Sequence, residues 1–191
     1  MPDQPSRAAR SIFALERKAD RPWFLPFTAL FPMADYALPF LPNQMLLTGL
    51  ALSLPRRWLA LALTFALATG IGAGLVAAAI QYWGSGLVQM LSGSASDPGQ
   101  AAKVLAALES YGLWALAGFA MLPWPPRLAV LVCALAGLSP AGMTLAVASG
   151  RLLPALSYAG LGALAPHVLR RNRRIDAVMR EVEALRPHPP G

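Results

Sequence analysis

Long apolar stretches make up most of this chain, and polar residues interrupt them at only a few places. The longest uninterrupted stretch is 58–80, in which 23 consecutive residues carry no charge. As an α-helix it would be about 34 Å long, which is enough to cross a hydrocarbon core of about 30 Å. A pair of arginines precedes it, and Tyr82 and Trp83 follow it as interfacial aromatic anchors do. The pattern predicts a transmembrane helix over 57–83.

Two further apolar segments, 24–54 and 110–137, are broken by prolines, and each contains a single charged residue. The prolines stand at positions 26, 32, 39 and 42 of the first segment and at 123, 125 and 126 of the second. Irregular backbone is tolerated at membrane depth only where it is buried in protein or faces water. We therefore interpret both segments as re-entrant hairpins with prolines at their tips. The apolar stretch 139–166 predicts a second transmembrane helix.

The order of hairpin and transmembrane helix thus occurs twice, and one crossing separates the two copies. Such an inverted repeat of broken apolar segments is a plan of secondary transporters, whose site lies near the bilayer midplane. The second half of the chain also allows three ordinary spans, over 104–123, 128–149 and 152–169. Both topologies put the same basic clusters in the cytoplasm, so the charge pattern leaves the two alternatives open.

Composition and charge narrow the class of protein. The 191 residues are 56% hydrophobic and only 13% charged, whereas an average soluble domain carries about 25% charged residues. This excludes a disordered chain, a nucleic-acid-binding domain with a solvated basic face, and most soluble enzymes. Basic residues are concentrated in 1–22 and 170–191, which we assign to the cytoplasm. The prediction is an all-α, multi-pass protein of the inner (plasma) membrane, with a membrane domain over 23–169 and an external loop over 84–103.

Several short motifs follow one another between positions 27 and 165. They are Phe40-Leu-Pro-Asn-Gln-Met-Leu-Leu-Thr-Gly-Leu50, Gly70-Ile-Gly-Ala-Gly74, Tyr82-x-Gly84, Phe119-Ala-Met-Leu-Pro-Trp-Pro-Pro-Arg127, Ala136-Gly137 and Gly150-Arg151. The first resembles the first block of the DedA/VTT (SNARE-associated) family, in its small YqaA-like branch, and the next two resemble the stretch that follows that block. The last three are similar to the family's second block. Their shared order carries the resemblance.

The resemblance implies two re-entrant hairpins that face each other and a role in moving lipids between leaflets. In bacteria the implied substrate is an isoprenyl carrier phosphate such as undecaprenyl phosphate, with proton coupling proposed for some members. Two positions depart from the family's pattern. Its glutamate before the proline-rich turn is best matched by Asp35, and the glutamate of its Pro-x-Glu by Gln44. The amide at Gln44 argues against proton coupling.

Five polar residues are the predicted substrate-binding residues. The guanidinium groups of Arg127 and Arg151 present fixed donors that match a phosphate, and Asp35 would balance their charge in the empty site. Asn43 and Gln44 bring amide donors to the tip of the first hairpin. Charges at membrane depth cost about 2.5–3.5 kcal/mol on insertion scales, which favours a functional role. The structural alternatives are a helix cap for the aspartate, boundary or loop charges for the arginines, and partners of the turn backbone for the amides.

The sequence shows no catalytic constellation. His167 and His188 lie outside the apolar core, and the chain has no metal-ligand spacing and no phosphate-binding glycine-rich loop. The single Cys133 excludes a disulfide framework and a cysteine-based zinc site. We therefore expect no enzyme activity, cofactor, metal or nucleic-acid partner. The predicted function is translocation of a phosphate-headed isoprenyl carrier lipid or a phospholipid between leaflets. The alternative is a membrane assembly or scaffold protein without transport activity, and a homo-oligomer is left open in either case.

The charge pattern yields a testable topology. Reporter fusions at either terminus should report the cytoplasm, and fusions within 84–103 should report the outside, because basic clusters are retained in the cytoplasm. Either terminus outside would contradict the inverted repeat.

Overall fold

Every regular element in the described part of the chain is helical. The computed structural model describes residues 21, 23–35, 43–84, 98–122, 127–165, 176–177 and 180–181. Within them it contains seven α-helices, one 3₁₀ turn at Pro55–Arg57 and no strand, which confirms the all-α class for this part. The helices are α1 (Phe24–Ala34), α2 (Asn43–Ser53), α3 (Trp58–Trp83), α4 (Pro98–Tyr111), α5 (Leu113–Ala120), α6 (Arg127–Leu135) and α7 (Pro140–Leu164).

Two helices are much longer than the rest. α3 has 26 residues and α7 has 25, which correspond to about 39 and 37 Å. Among the described residues, only the 29-residue segment Pro55–Trp83 is both long enough and apolar enough to cross a membrane, with a mean hydropathy of 2.0 over an 18-residue window. α7 covers most of the second predicted span, but glycines, serines and Arg151 make it less apolar.

Four short helices occupy the segments predicted as hairpins. α1 and α2 have 11 residues each, and α5 and α6 have 8 and 9. One predicted break is wrong, because Pro32 lies inside α1 and is buried, and the helix continues to Ala34. Pro26 is the third residue of α1, where the backbone needs no donor. The other prolines of the predicted tips lie outside the described residues.

Other helix bounds also bear on the predictions. α7 continues through Gly150 and Arg151, where the topology with three spans required a break between helices. A turn follows α6 instead, at Gly137 with φ +75°, and the Ser139 side chain accepts a hydrogen bond from the first turn of α7. α4 begins at Pro98, so the end of the predicted loop is helical. Most of 1–22 and 170–191, and positions 85–97 of the loop, lie outside the described residues.

The two long helices pack against each other in antiparallel orientation. A Cβ atom at Gly70 would lie 2.5 Å from the carbonyl oxygen of Thr144, so side-chain-free backbone is needed there. Gln81 near the end of α3 donates a 2.8 Å hydrogen bond to the carbonyl of Leu138, just before α7. At the other end, Trp58 lies beside Gly160. Small residues let the helix backbones approach closely, as in membrane helix pairs.

The short helices pack on the long ones in a crossed pattern. α1 packs on α3 and α5 packs on α7, so the first helix of each pair contacts the long helix that follows it. The second helices do the opposite, because α2 packs mainly on α7 and α6 mainly on α3. A glycine lies at each of the first two contacts: Gly72 faces the Met33 backbone, and Gly150 faces the Ala117 backbone. Each pair of short helices therefore bridges both long helices.

The two long helices present bulky apolar side chains on their exposed faces and mostly small side chains on their buried faces. Every fourth residue along one face of α3 is large, apolar and 44–57% exposed; these residues are Leu59, Leu63, Leu67, Ile71 and Leu75. The opposite face is buried and consists largely of alanine and glycine. On α7, exposed Ser149 and Ser157 alternate with exposed leucines, but their hydroxyls donate to carbonyls of the same helix. The helical exterior thus offers few unsatisfied polar groups.

The close contact at Gly150 gives a prediction about stability. A Cβ there would overlap the carbonyl oxygen of Ala117, so Gly150→Ala should destabilise the fold by about 1–3 kcal/mol. The matched control is Gly118→Ala on α5, where a Cβ meets no atom within 4 Å and alanine should be neutral or stabilising. Thermal unfolding of the two purified variants checks this. Equal melting temperatures would contradict the packing of α5 on α7.

Candidate functional site

Asp35 ends α1 and lies in the interior of the fold. It occupies the C-cap position and is only 6% exposed. The last carbonyls of a helix lack intrahelical donors and form the negative end of its dipole. A carboxylate at this end adds a second negative charge, so the position requires strong hydrogen-bond donors. The alternative expected Asp35 to cap a helix that begins after Pro32, whereas Asp35 lies at the end of the helix that contains Pro32 and is buried.

Arg127 supplies those donors from the other half of the chain. Its Nη2 donates to the backbone carbonyl of Asp35 and also to the Asp35 carboxylate, at 3.2 Å to Oδ1. The side chains are 25% and 9% exposed, respectively. Arg127 is the first residue of α6, at the positive end of that helix dipole. Each charge is thus unfavourable at its own helix end, and their pairing offsets both costs.

Asn43 joins the same carboxylate as the first residue of α2. Its side chain lies beside the Asp35 carboxylate, where the amide nitrogen can act as a hydrogen-bond donor to it. The Asn43 Oδ1 atom then points elsewhere, and it is buried without a hydrogen-bond partner in the described part of the protein. The Nε atom of Arg127 is likewise buried without a hydrogen-bond partner in the described part of the protein. Leaving such a group unsatisfied costs about 1–3 kcal/mol.

Arg151 approaches the cluster from α7. Its Nη1 donates a 3.1 Å hydrogen bond to the carbonyl of Leu122, just beyond the end of α5, and its charge also acts on Asp35. The two arginines therefore have corresponding partners. Arg127 binds a carbonyl at the end of α1, and Arg151 binds one at the end of α5, which are the first helices of the two pairs. Neither carbonyl acceptor was identifiable from the sequence.

We call Asp35, Asn43, Arg127 and Arg151 the polar cluster. They are four of the five predicted site residues. The fifth, Gln44, is outside the cluster, because its side chain makes no hydrogen bond to the described residues and only its carbonyl is used, by Thr48 at 2.8 Å.

The polar cluster lies halfway along the long helices. Arg151 is close to the midpoint of α7, and Gly72, close to the midpoint of α3, contacts the backbone of Met33 two residues before Asp35. α3 itself carries no charged residue. The two charged residues of α4, Lys103 and Glu109, are exposed. The interior charges are therefore concentrated at one level of the fold.

Other chemistry is sparse in the described part of the chain. It contains no group of three His, Cys, Asp or Glu side chains that could hold a metal ion. Cys133 is a free thiol buried in the core formed by α3, α4, α5, α6 and α7. Neither feature adds a second site.

Comparison of the chain with protein-family models, with curated proteins and with solved structures gave no match. The resemblance to DedA/VTT proteins therefore remains a prediction from the short motifs.

The contact between Asp35 and Arg127 can be measured by a double-mutant cycle. Asp35→Asn and Arg127→Gln should each destabilise the protein by about 1–3 kcal/mol, because each leaves a largely buried partner unpaired. The double variant should be destabilised by less than the sum of the two single variants, and the difference should be about 1 kcal/mol or more.

The control cycle uses the surface pair Asp176 and Arg180, in which Nη2 of the arginine lies 2.8 Å from Oδ2 of the aspartate and the arginine side chain is 70% exposed. Its coupling should stay below about 0.5 kcal/mol. Equal coupling in the two pairs would show that Asp35 and Arg127 do not depend on each other.

Proposed function

We propose that this protein is an integral inner-membrane lipid translocase with the inverted-repeat plan of DedA/VTT proteins. In this proposal α3 and α7 cross the membrane, the pairs α1–α2 and α5–α6 are re-entrant hairpins, and the polar cluster receives a phosphate head group. Both termini are cytoplasmic.

The exterior of the fold supports a membrane setting. A soluble protein rarely exposes a large continuous apolar patch, yet α3 presents a full row of leucine and isoleucine. Small residues lie between the helices, where membrane proteins use them for close packing. The exposed hydroxyls of Ser149 and Ser157 bond to their own helix, which removes the cost of placing them against lipid.

The crossed packing supports the inverted repeat. In each half, the first short helix packs on the long helix of its own half: α1 on α3, and α5 on α7. The second short helix packs on the long helix of the other half: α2 on α7, and α6 on α3. Antiparallel long helices are what two copies of opposite orientation require. Helices of 8 to 11 residues are about 12–16 Å long, so each reaches only about half-way across a hydrocarbon core. This length suits hairpins that enter and leave on one side.

The observation that carries the proposed function is the level of the polar cluster. Two arginines, a carboxylate and an amide meet halfway along helices whose exterior is apolar. A scaffold protein has no need of such a costly cluster and is better served by charges at the two interfaces. Guanidinium groups are suited to phosphate, and a lipid's chains can remain in the bilayer while only its head group passes the cluster.

A leaflet-exchange assay in proteoliposomes tests this function. The purified protein should accelerate the exchange of a fluorescent isoprenyl phosphate or phosphatidic acid over protein-free vesicles. Arg127→Lys and Arg151→Lys should each slow it by about tenfold or more, because lysine keeps the charge but loses the planar donors. Arg180→Lys, outside the membrane domain, is the matched control and should exchange normally.

Variants must be compared at equal folded yield. Full activity of both lysine variants would contradict a phosphate site at the polar cluster. Absence of exchange by the wild-type protein, with the cluster intact, would favour the scaffold alternative.

A further inference from the structure

Unsatisfied polar atoms of opposite kind lie buried in the polar cluster. The Nε–H of Arg127 is a donor and the Oδ1 of Asn43 is an acceptor, and both are buried without a partner in the described part of the protein. The two side chains contact the same carboxylate, Asp35, so both atoms belong to one small volume. A ligand that complements them must accept a hydrogen bond at one position and donate one at another.

The identity of the unpaired Asn43 atom is assigned from its surroundings. The amide oxygen and nitrogen of asparagine look alike, and they are assigned from the hydrogen-bond network. Here the amide lies beside the Asp35 carboxylate, which accepts hydrogen bonds when it is ionised, so the nitrogen is assigned to that side and the oxygen is the buried atom without a partner. In Arg127, Nη2 donates to the carbonyl and the carboxylate of Asp35, and Nε is left without an acceptor.

The charge of the cluster adds an independent constraint. Arg127 and Arg151 against Asp35 leave one net positive charge among the described side chains. The other helices packed around them do not change this, because α2, α3 and α5 carry no charged residue and the two charges of α4 are exposed. A ligand with one negative charge makes the buried group neutral. A dianion or a zwitterion leaves a net charge in a region of low dielectric.

We infer that the polar cluster selects a phosphate head group that carries one negative charge and one hydroxyl donor. This inference rests on the proposed lipid translocation and defines its substrate class. A phosphate oxygen accepts from Arg127, and the hydroxyl donates to Asn43. Two sources share this chemistry: a phosphate monoester in its singly protonated form, and a phosphodiester whose head group bears a hydroxyl.

Three lipids separate the components of this selection. Phosphatidylglycerol and phosphatidylmethanol each carry one negative charge, but only the glycerol head group has a hydroxyl. Phosphatidic acid gains a second negative charge and loses its hydroxyl as pH rises past the second pKa of a phosphate monoester, near 6. Competitive binding to the purified protein in detergent, read by native mass spectrometry, compares all three without requiring transport.

The wild-type protein should bind phosphatidylglycerol about tenfold more tightly than phosphatidylmethanol, the effect of one buried hydrogen bond. Asn43→Ala should remove this preference, and the neighbouring Gln44→Ala should retain it. Phosphatidic acid should bind about tenfold more weakly at pH 8 than at pH 5. Phosphatidylglycerol, which does not titrate in this range, corrects for any effect of pH on the protein itself.

Equal binding of the two phosphodiesters to the wild-type protein would overturn the inference. It would indicate that water, and not a lipid hydroxyl, forms the hydrogen bonds to the two buried atoms. Tighter binding of phosphatidic acid at pH 8 would overturn it as well, and needs no variant. In both cases lipid exchange would persist, and the proposed function would stand. Failure to bind or exchange any of the three lipids would instead contradict the proposed function.

Discussion

The contact between Asp35 and Arg127 joins the end of α1 to the beginning of α6. Taken separately, each residue is badly placed, because a carboxylate meets the negative end of one helix dipole and a guanidinium meets the positive end of another. Together they neutralise each other, and the arginine also supplies a donor to the carbonyl at the end of α1. The pairing holds the two halves of the chain at one level. Removing either partner exposes the full cost of the other.

The packing of the helices follows from a second constraint, which is the distribution of side-chain size. Alanine and glycine fill the contact between α3 and α7, and leucine covers the outside. The helices depend on close backbone contacts, as at Gly70 between α3 and α7 and at Gly150 between α7 and α5. The same close approach brings the helix ends near enough for two arginines to reach backbone carbonyls of neighbouring helices. Small residues and buried charges are therefore parts of one arrangement.

Local features of the fold were accessible from the sequence, and its long-range contacts were not. The apolar pattern predicted a helix over 57–83, and α3 spans Trp58–Trp83, because the pair of arginines before the apolar stretch marks its beginning clearly. Pro32 was misleading, since a proline late in a helix is tolerated when it packs in the interior. The charged residues could be singled out because so few lie in apolar segments. The sequence also predicted that Asp35 balances the charge of the two arginines. It could not supply the contacts themselves, because Asp35 and Arg127 are 92 positions apart and meet only through the crossed packing.

The central claim is that charges lie at the middle of helices that cross a membrane, and depth measurement tests it most directly. In a Cys133→Ala background, single cysteines at the exposed positions Leu145, Leu153 and Leu164 can carry a nitroxide label in reconstituted bilayers. Leu153 lies two residues beyond Arg151. The relaxation of each nitroxide by oxygen is compared with its relaxation by a water-soluble nickel chelate, which reports depth in the bilayer. The label at Leu153 should be the deepest of the three, about 15 Å below the head groups. A label at Leu153 that contacts the nickel chelate as freely as one at Leu164 would contradict the account.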